Sequence, residues 1–179
     1  LSAFRIPIAQ TMVARSASEA MVLAEELGLP VVMKIDSPQI AHKSDCGGVR
    51  LNLNSLAAVR DGWLEIMDEV KKNRPDAIIN GIAIEPMIQK ANGRELVVGM
   101  MRDKIFGPTI VFGPGGTSVE AYNSDRAVAL PPLNSFLVAD MLASTRTTAR
   151  LGKFRNMPPV NMDAIEAILL SVSAMVCEL

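Results

Sequence analysis

The sequence contains few aromatic residues, two cysteines and a single histidine. Phe, Tyr and Trp together make up 4% of the 179 residues, whereas Met occurs 11 times, so we expect an aliphatic core. Cys46 and Cys177 lie far apart, which favours free thiols in a reducing cytoplasm over a disulfide. One histidine and two distant cysteines do not supply the ligand set of a structural zinc site.

Neither sign of charge is in excess, and long apolar runs are missing. Lys and Arg number 18 against 19 Asp and Glu, which gives a net charge of −1 with no basic tract, so no nucleic-acid-binding surface is indicated. The sequence shows neither an apolar run of transmembrane length nor a signal peptide, so we expect no membrane partner. Hydrophobic residues at 49% instead indicate one folded domain or two small lobes.

Local patterns predict an α+β chain in two lobes, 1–86 and 87–179. Asn92-Gly93 adds a hairpin signal between the strands on either side of it. The chain begins without Met and stops in an apolar run, so we expect a piece of a longer protein, with a trimmed complete domain as the alternative. The predicted strands cover 8–14, 31–35, 49–53, 78–84, 95–101, 108–112 and 128–130, and the predicted helices cover 19–27, 55–73, 134–144 and 163–178.

Lys34 stands in a predicted strand that otherwise consists of Val, Met and Ile. Because taking an ammonium group out of water is costly, such a lysine requires an anionic partner, and a bound phosphate would serve. The alternative is a lysine at a strand end whose charge reaches solvent along its aliphatic stem.

A polar loop with the single histidine follows this strand. His42 precedes Lys43, Ser44 and Asp45, which add charge and hydrogen-bond donors, and then two glycines that permit close backbone approach. An imidazole can act as a base or accept a phosphoryl group. The alternative is a solvated loop histidine without a chemical role.

The segment Gly-Pro-Gly-Gly at 113–116 also follows a predicted strand. Its backbone N–H groups can contact an anion, although tight turns need glycines as well, and it lacks the Gly-Lys-Ser/Thr ending of a Walker A loop. Nearby acids suit Mg²⁺ bound with nucleotide phosphates, or else are solvated surface charges. These acids are Glu85, Glu95, Glu120 and Asp125.

Pro86 and Met87 follow a predicted strand at the join between the lobes. This segment can form a hinge whose backbone and apolar side chains hold an adenine. The alternative is a plain connector between two lobes.

Sequence blocks through nearly the whole chain resemble the ATP-grasp domain of nucleoside-diphosphate-forming (ADP-forming) acyl-CoA synthetases. The most specific are HKSDxGGV and, in order, FGP, FGxGG and VE. Segment 125–134, DRAVALPPLN, is similar to the branch in which this module is fused to a GNAT protein acetyltransferase. The matching blocks are GLPVVMKIDSP (28–38), HKSDCGGVRLNL (42–53), EPM (85–87), GRELVVGMMRDKIFGPTIVFGPGG (93–116), VE (119–120) and ALPPLN (129–134).

The resemblance implies a two-lobed ATP-grasp fold, each lobe a mainly antiparallel or mixed sheet with helices, with ATP or ADP and Mg²⁺ bound between the lobes. It places Glu85–Ile88 at the adenine hinge. It identifies His42 as the loop histidine that takes a phosphoryl group from a histidine on another domain and delivers it to ADP. The family converts acyl-CoA, ADP and phosphate to acid, CoA and ATP, or the reverse. The implied nucleotide-binding residues are Lys34, Lys43, Ser44, Glu85, Pro86, Met87, Ile88, Glu95, Gly115 and Gly116, and the implied metal ligand is Glu120.

Departures from the family pattern limit what the resemblance implies. Members continue past a helix like the last one here into a Glu-Leu-Asp-Ile-Asn-Pro-Leu strand whose acid and Asn help bind magnesium, so we expect the C-terminal strands to be missing. The CoA-binding and succinyl-CoA-synthetase-like domains are expected as partners, on the same or another chain, and this piece alone is expected to be inactive. Pro114 stands where Leu is common and removes a backbone donor from the loop.

A second role follows from the acetyltransferase-fused branch. There the module can be a catalytically silent domain that senses a ligand and regulates a fused protein lysine acetyltransferase. The presence of Lys34 and His42 favours an intact phosphoryl path, so we expect a synthetase module and keep the regulatory domain as the alternative.

Overall fold

The computed structural model describes residues 1–116, 125–153 and 157–178. The chain divides into two compact units. The continuous unit comprises Ala9–Gln89, and the split unit combines Leu1–Ile8 with Lys90–Leu179. Each contains one antiparallel sheet with helices, which confirms the predicted α+β class.

The continuous unit has two helices, α1 (Ala17–Leu27) and α2 (Leu56–Asn73), and four strands, β1 (Met12–Ala14), β2 (Val31–Asp36), β3 (Val49–Leu53) and β4 (Gly81–Pro86). The strands form one antiparallel sheet in the order β1-β4-β2-β3. A serine begins each helix, because the side chain of Ser16 accepts the N–H of Glu19 and that of Ser55 accepts the N–H of Ala58.

Alternate residues of β2 point to opposite faces of this sheet. Met33 and Ile35 are fully buried and join Ile84 of β4 in the core that α1 and α2 also line. Lys34 lies on the other face, which Glu85 of β4 shares. The strand period therefore separates a helix-covered apolar face from a face that carries charged side chains.

The split unit has three strands, β5 (Leu96–Asp103), β6 (Gly107–Pro114) and β7 (Ala127–Ala129), and the helices α3 (Ser135–Ala143), α4 (Arg146–Ala149) and α5 (Met162–Glu178). The strands form an antiparallel sheet in the order β5-β6-β7. Phe112 of β6 and Leu169 of α5 are fully buried in its core, and Ile165, Val172 and Val176 extend the buried stripe that the sequence predicted for the last helix. The short helix α4 was not predicted.

Residues 1–8 belong to the split unit, whereas the sequence placed them in the first lobe. Ile6 is buried in the split unit's core, and Phe4 packs against the same cluster. The division also falls between Gln89 and Lys90 rather than after Pro86. Local sequence patterns do not predict this arrangement, because it depends on apolar contacts between segments far apart in the sequence.

The hairpin predicted at Asn92-Gly93 is wrong. The chain does turn there, since the N–H of Gly93 donates to the Lys90 carbonyl at 2.9 Å, but β4 and β5 lie in different sheets. The hairpin forms instead between β5 and β6, where Asp103 Oδ1 accepts the backbone N–H groups of Ile105 and Phe106 at 2.8 and 2.9 Å. A turn signal specifies a bend and does not specify which strands pair. Within the described residues, no helix has both the length and the apolar character needed to cross a membrane.

Candidate functional site

Lys34 and Glu85 form an ion pair on the charged face of the sheet. Because Val32 is opposite Glu85 and Lys34 is opposite Ala83, the two charged residues are diagonal neighbours. Lys34 Nζ lies 2.6 Å from Glu85 Oε2, and the side chains are 38% and 20% exposed. The anionic partner of Lys34 is thus a protein carboxylate, where the sequence suggested a phosphate. Ion pairs this exposed contribute about 0–1 kcal/mol, so a phosphate can compete for the lysine.

His42 lies in a loop whose base is held by backbone hydrogen bonds. Residues Ser44–Cys46 form one 3-10 turn, and the N–H of Gly48 donates to the Lys43 carbonyl at 2.8 Å. The N–H of Ile35 in β2 then donates to the Gly48 carbonyl at 2.7 Å. The side chain of His42 is exposed above this base.

The two glycines of this loop meet close contacts. Gly47 has φ +75°, and a Cβ there would overlap Glu69 Oε2. At Gly48 a Cβ would lie 2.5 Å from Ile35 Cγ2 and 2.8 Å from the carbonyl oxygen of Lys43. Glycine at both positions therefore lets the loop lie tightly against β2 and α2.

Arg50 supports the same loop from β3. Its Nη1 donates to the Gly47 carbonyl at 3.0 Å, and its guanidinium pairs with Glu65 at 2.9 Å and with Glu69 at 2.8 Å. The hydrogen bond to Glu65 is the main reason that the pKa of Arg50 is raised above its usual value. The cation that fixes the loop is thus already paired, and it is not one of the predicted site residues.

An open cavity of about 400 Å³ brings four predicted site residues together, a volume within the roughly 300–1,000 Å³ typical of small-ligand sites. Two ammonium groups, an imidazole and a hydroxyl border it, with one opposing carboxylate. This arrangement can accept an anion the size of a phosphoryl group. We call it the lysine cavity; it is lined by Lys34, Ala41, His42, Lys43, Ser44, Asp45 and Val49.

A second cavity, of about 310 Å³, also borders His42 and was not predicted. Arg74 Nη2 donates to the Gln39 carbonyl at 3.1 Å, and Asn73 Nδ2 donates to the Cys46 carbonyl at 3.2 Å. Sequence patterns indicated no functional role for Arg74, because no local signal places the end of α2 beside the loop that follows β2. We call this the arginine cavity; it is lined by Gln39, Ala41, His42, Asp45, Cys46, Asn73 and Arg74.

The predicted adenine hinge, 85–88, spans the end of β4 and the connector that follows. Pro86 is opposite Val31, and the N–H of Met87 donates to the Pro30 carbonyl at 2.9 Å. Ile88 is 66% exposed. The Met87 amide is therefore already bonded, while Ile88 offers apolar surface on which a base can stack. The role of these residues with adenine stays a prediction.

In the split unit, the predicted residues Glu95, Gly115 and Gly116 lie together. They adjoin the β5–β6 pair, in which Leu96 is opposite Pro114. The N–H of Gly115 donates to the Glu95 carbonyl at 2.8 Å, and a Cβ on Gly116, whose φ is +74°, would overlap Glu95 Oε2. A cavity of about 250 Å³ beside them includes Glu95, Gly115 and Thr147 in its wall.

Both carboxylate oxygens of Asp125 accept hydrogen bonds within the split unit, so this side chain has a structural role rather than that of a metal ligand. Its Oδ1 accepts the N–H of Arg146 at 2.8 Å, and its Oδ2 accepts the hydroxyl of Thr147 at 2.7 Å. The Thr147 hydrogen bond is the main cause of the lowered pKa of Asp125. Glu120, the predicted metal ligand, lies outside the described residues. Within the described ranges, no group of three or more His, Cys, Asp or Glu residues is placed to hold a metal ion.

Comparison with known proteins gives a match over the whole chain. Residues 1–179 match the family model of an ATP-grasp domain. The beta subunit of ADP-forming acetate–CoA ligase I from Pyrococcus furiosus is 37% identical over 179 residues, which cover 100% of this chain and 76% of that subunit.

Solved structures show the same similarity. The dinucleotide forming acetyl-coenzyme A synthetase 1 of Ca. Korarchaeum cryptofilum, in complex with coenzyme A and Ca-AMPCP, superposes with a TM-score of 0.93 at 39% identity, covering 99% of this chain and 76% of that one. A second structure of that enzyme holds coenzyme A and Mg-AMPPCP, and its phosphohistidine segment points towards the nucleotide binding site. It superposes with a TM-score of 0.82 at 33% identity, covering 99% of this chain and 75% of that one.

Proposed function

The chain belongs to the ATP-grasp domain family of ADP-forming acetate–CoA ligases, and we propose that His42 carries the phosphoryl group between a partner domain and ADP. The observation that supports this proposal is the lysine cavity, whose wall includes His42 together with Lys34, Lys43 and Ser44. Two ammonium groups and a hydroxyl around one imidazole suit a phosphoryl group in transit, because hydrogen bonds between cations and phosphate oxygens are strong.

Each transfer exchanges one bond to phosphorus for another. An unprotonated ring nitrogen of His42 attacks the phosphorus of a phosphohistidine on the partner domain, and a new P–N bond forms as the old one breaks. The donor imidazole takes up a proton, and the His42 ring releases one. An oxygen of the ADP β-phosphate then attacks the same phosphorus, and a P–O bond forms as the P–N bond to His42 breaks. The His42 ring takes up a proton and returns to its free state.

Lys34 and Lys43 stabilise the phosphoryl oxygens during the transfer between His42 and ADP, and Ser44 donates a hydrogen bond to them. Lys34 must exchange its carboxylate partner, Glu85, for the phosphoryl group. Because that ion pair is partly exposed, the exchange costs about 1 kcal/mol or less. A charged ligand with two or three acceptor oxygens offers the lysine at least as much in return.

The other predicted residues hold the nucleotide. We assign the adenine to the connector 85–88 and the phosphates to Gly115 and Gly116. Mg²⁺ bound with nucleotide phosphates keeps waters and needs one or two carboxylates, and the exposed carboxylate of Glu95 beside Gly116 fits that need. We assign Glu120 as a further ligand. When bound, the ion neutralises charge on the phosphates.

The whole reaction needs domains other than this one. Acyl-CoA, ADP and phosphate give acid, CoA and ATP, or the reverse, and CoA-binding and succinyl-CoA-synthetase-like domains supply the CoA and acyl chemistry. These domains are the proposed partners, on the same or another chain, in the cytoplasm. Cys46 and Cys177 are free thiols, which suits that reducing compartment.

The test replaces His42 in the full-length protein with its partner domains present. His42→Ala should lower the formation of ADP from ATP, acid and CoA by about 10³-fold or more, because the covalent carrier is gone. Calorimetry should show that the same variant binds ADP with an affinity within about twofold of wild type. Incubation with [γ-³²P]ATP should label wild type at His42 and should leave position 42 of the variant unlabelled. Turnover at the wild-type rate without His42 would refute the proposal.

The regulatory alternative rests on the similarity of segment 125–134 to the acetyltransferase-fused branch. In that role the domain binds nucleotide and controls a fused protein lysine acetyltransferase. A full-length protein that acetylates a protein lysine and forms no ADP from ATP, acid and CoA would favour it over the synthetase role.

A further inference from the structure

His42 borders two cavities that have different walls. Both include Ala41 and Asp45. Beyond these shared residues, the lysine cavity is lined by β2, β3 and the turn after His42, whereas the arginine cavity is lined by the loop after β2 and the end of α2. His42 therefore borders two spaces, one with two ammonium groups and the other with a guanidinium.

We propose that Arg74 binds the phosphoryl group as it passes between the partner domain and His42, whereas Lys34 binds it on the nucleotide side. The inference rests on the proposed function, because it gives the same histidine a further phosphoryl-binding residue. A carrier must meet its donor and its acceptor in turn. Two cavities with separate cations let the two exchanges use different approaches to one imidazole.

Arg74 is held in place for this role. Its backbone N–H ends α2 by donating to the Val70 carbonyl at 2.7 Å, and its Nη2 donates to the Gln39 carbonyl at 3.1 Å. Gln39 is fixed in turn, because its Oε1 accepts the N–H of Ile78 at 2.5 Å. A guanidinium has five N–H donors in a planar fork that matches phosphate oxygens, so one bond to Gln39 leaves donors for a ligand.

Two carboxylates oppose this cation, and neither neutralises it. Asp45 borders both cavities, and Asp76 lines an adjoining cavity of about 260 Å³ that also includes Arg74. In the described part of the chain, Arg74 forms no ion pair with Asp45 or with Asp76. The acids instead disfavour a permanently bound anion, which suits a site that releases the phosphoryl group.

The experiment separates the two transfers in the full-length protein with its partner domains. The partner histidine is labelled in the reverse direction from ³²P-phosphate and the acyl-CoA that the enzyme uses, and rapid quenching follows the label to His42. A second mixing step adds ADP and follows the label to ATP. In Arg74→Gln the rate of the first transfer should fall about tenfold or more relative to the second, because a charged contact to the phosphoryl group is lost.

Two variants control for charge and folding. Arg74→Lys keeps the charge and loses the planar fork, so the ratio of the two rates should lie between those of wild type and Arg74→Gln. Arg60→Gln removes an exposed arginine within α2, one that pairs with Asp61 and borders neither cavity, and should leave the ratio within about twofold of wild type.

Each result distinguishes the inference from the proposed function. If wild-type His42 takes no label, the proposed function fails and the inference fails with it. If His42 is labelled and Arg74→Gln leaves the ratio of rates unchanged, whether both rates are normal or both fall equally, the inference alone is wrong. A selective loss of the first transfer, partly restored in Arg74→Lys, supports it.

Discussion

At the residue scale, the site depends on charged side chains that stay partly exposed even where the fold pairs them. Lys34 lies in a strand whose neighbouring residues are buried, yet its ammonium reaches Glu85 on the open face and both side chains stay partly exposed. The sequence identified Lys34 as unusual because of its apolar neighbours. It did not identify the partner, because the pairing depends on the register between β2 and β4.

The close contacts in the loop that carries His42 predict the effect of a substitution at Gly48. Gly48→Ala should destabilise the continuous unit by about 1–3 kcal/mol, because the new Cβ meets Ile35 Cγ2 and the Lys43 carbonyl in a packed region. Gly62→Ala in α2 is the matched control, since its Cβ would make only an ordinary 3.4 Å contact with Leu53, and it should stabilise by up to about 1 kcal/mol through helix propensity. Urea unfolding followed by circular dichroism measures both, and equal stabilities would contradict the close packing of the loop.

At the element scale, helix starts were predictable and strand partners were not. Asn134 begins α3 by accepting the N–H of Leu137 at 2.9 Å, as Ser16 and Ser55 do for α1 and α2, because a cap acts within one turn of its own helix. Asn92-Gly93 failed as a hairpin signal because pairing is decided by distant strands. Arg74 was missed for the same reason, since its place beside His42 depends on how α2 packs on the sheet.

The short helix α4 depends on Asp125, and this dependence should vary with pH. The pKa of Asp125 is lowered in the fold by the Thr147 hydroxyl and by the N–H of Arg146. The ionised carboxylate therefore stabilises the fold above its unfolded pKa of about 3.9, and this contribution is lost as the pH falls through the lower folded pKa.

Asp125→Asn should accordingly lower the unfolding midpoint at pH 6 more than at pH 3. Thermal unfolding of wild type and variant from pH 7 to pH 2.5 measures the difference. We expect the two curves to converge on the acid side. A difference that stays constant across this range would mean that Asp125 acts through its shape rather than its charge.

At the scale of the whole molecule, each unit carries its own core and its own part of the predicted site. The continuous unit holds His42 and its cavities, and the split unit holds Glu95 beside Gly115. The sequence predicted two lobes from the order of elements, and it assigned residues 1–8 by proximity in the chain. The structure assigns them by burial, because Ile6 completes the core around α5.

The burial of Ile6 predicts which unit loses stability when the side chain at position 6 is shortened. Ile6→Ala should destabilise the split unit by about 2 kcal/mol, since it empties a buried position in contact with the α5 core. Ile8→Ala is the matched control, because Ile8 is 58% exposed and its loss should cost little. Hydrogen exchange measured by mass spectrometry should show faster exchange in α5 of Ile6→Ala with no change in β2, which belongs to the continuous unit. Faster exchange in β2 instead of α5 would mean that residues 1–8 pack with the continuous unit, as the sequence-based division into lobes predicted.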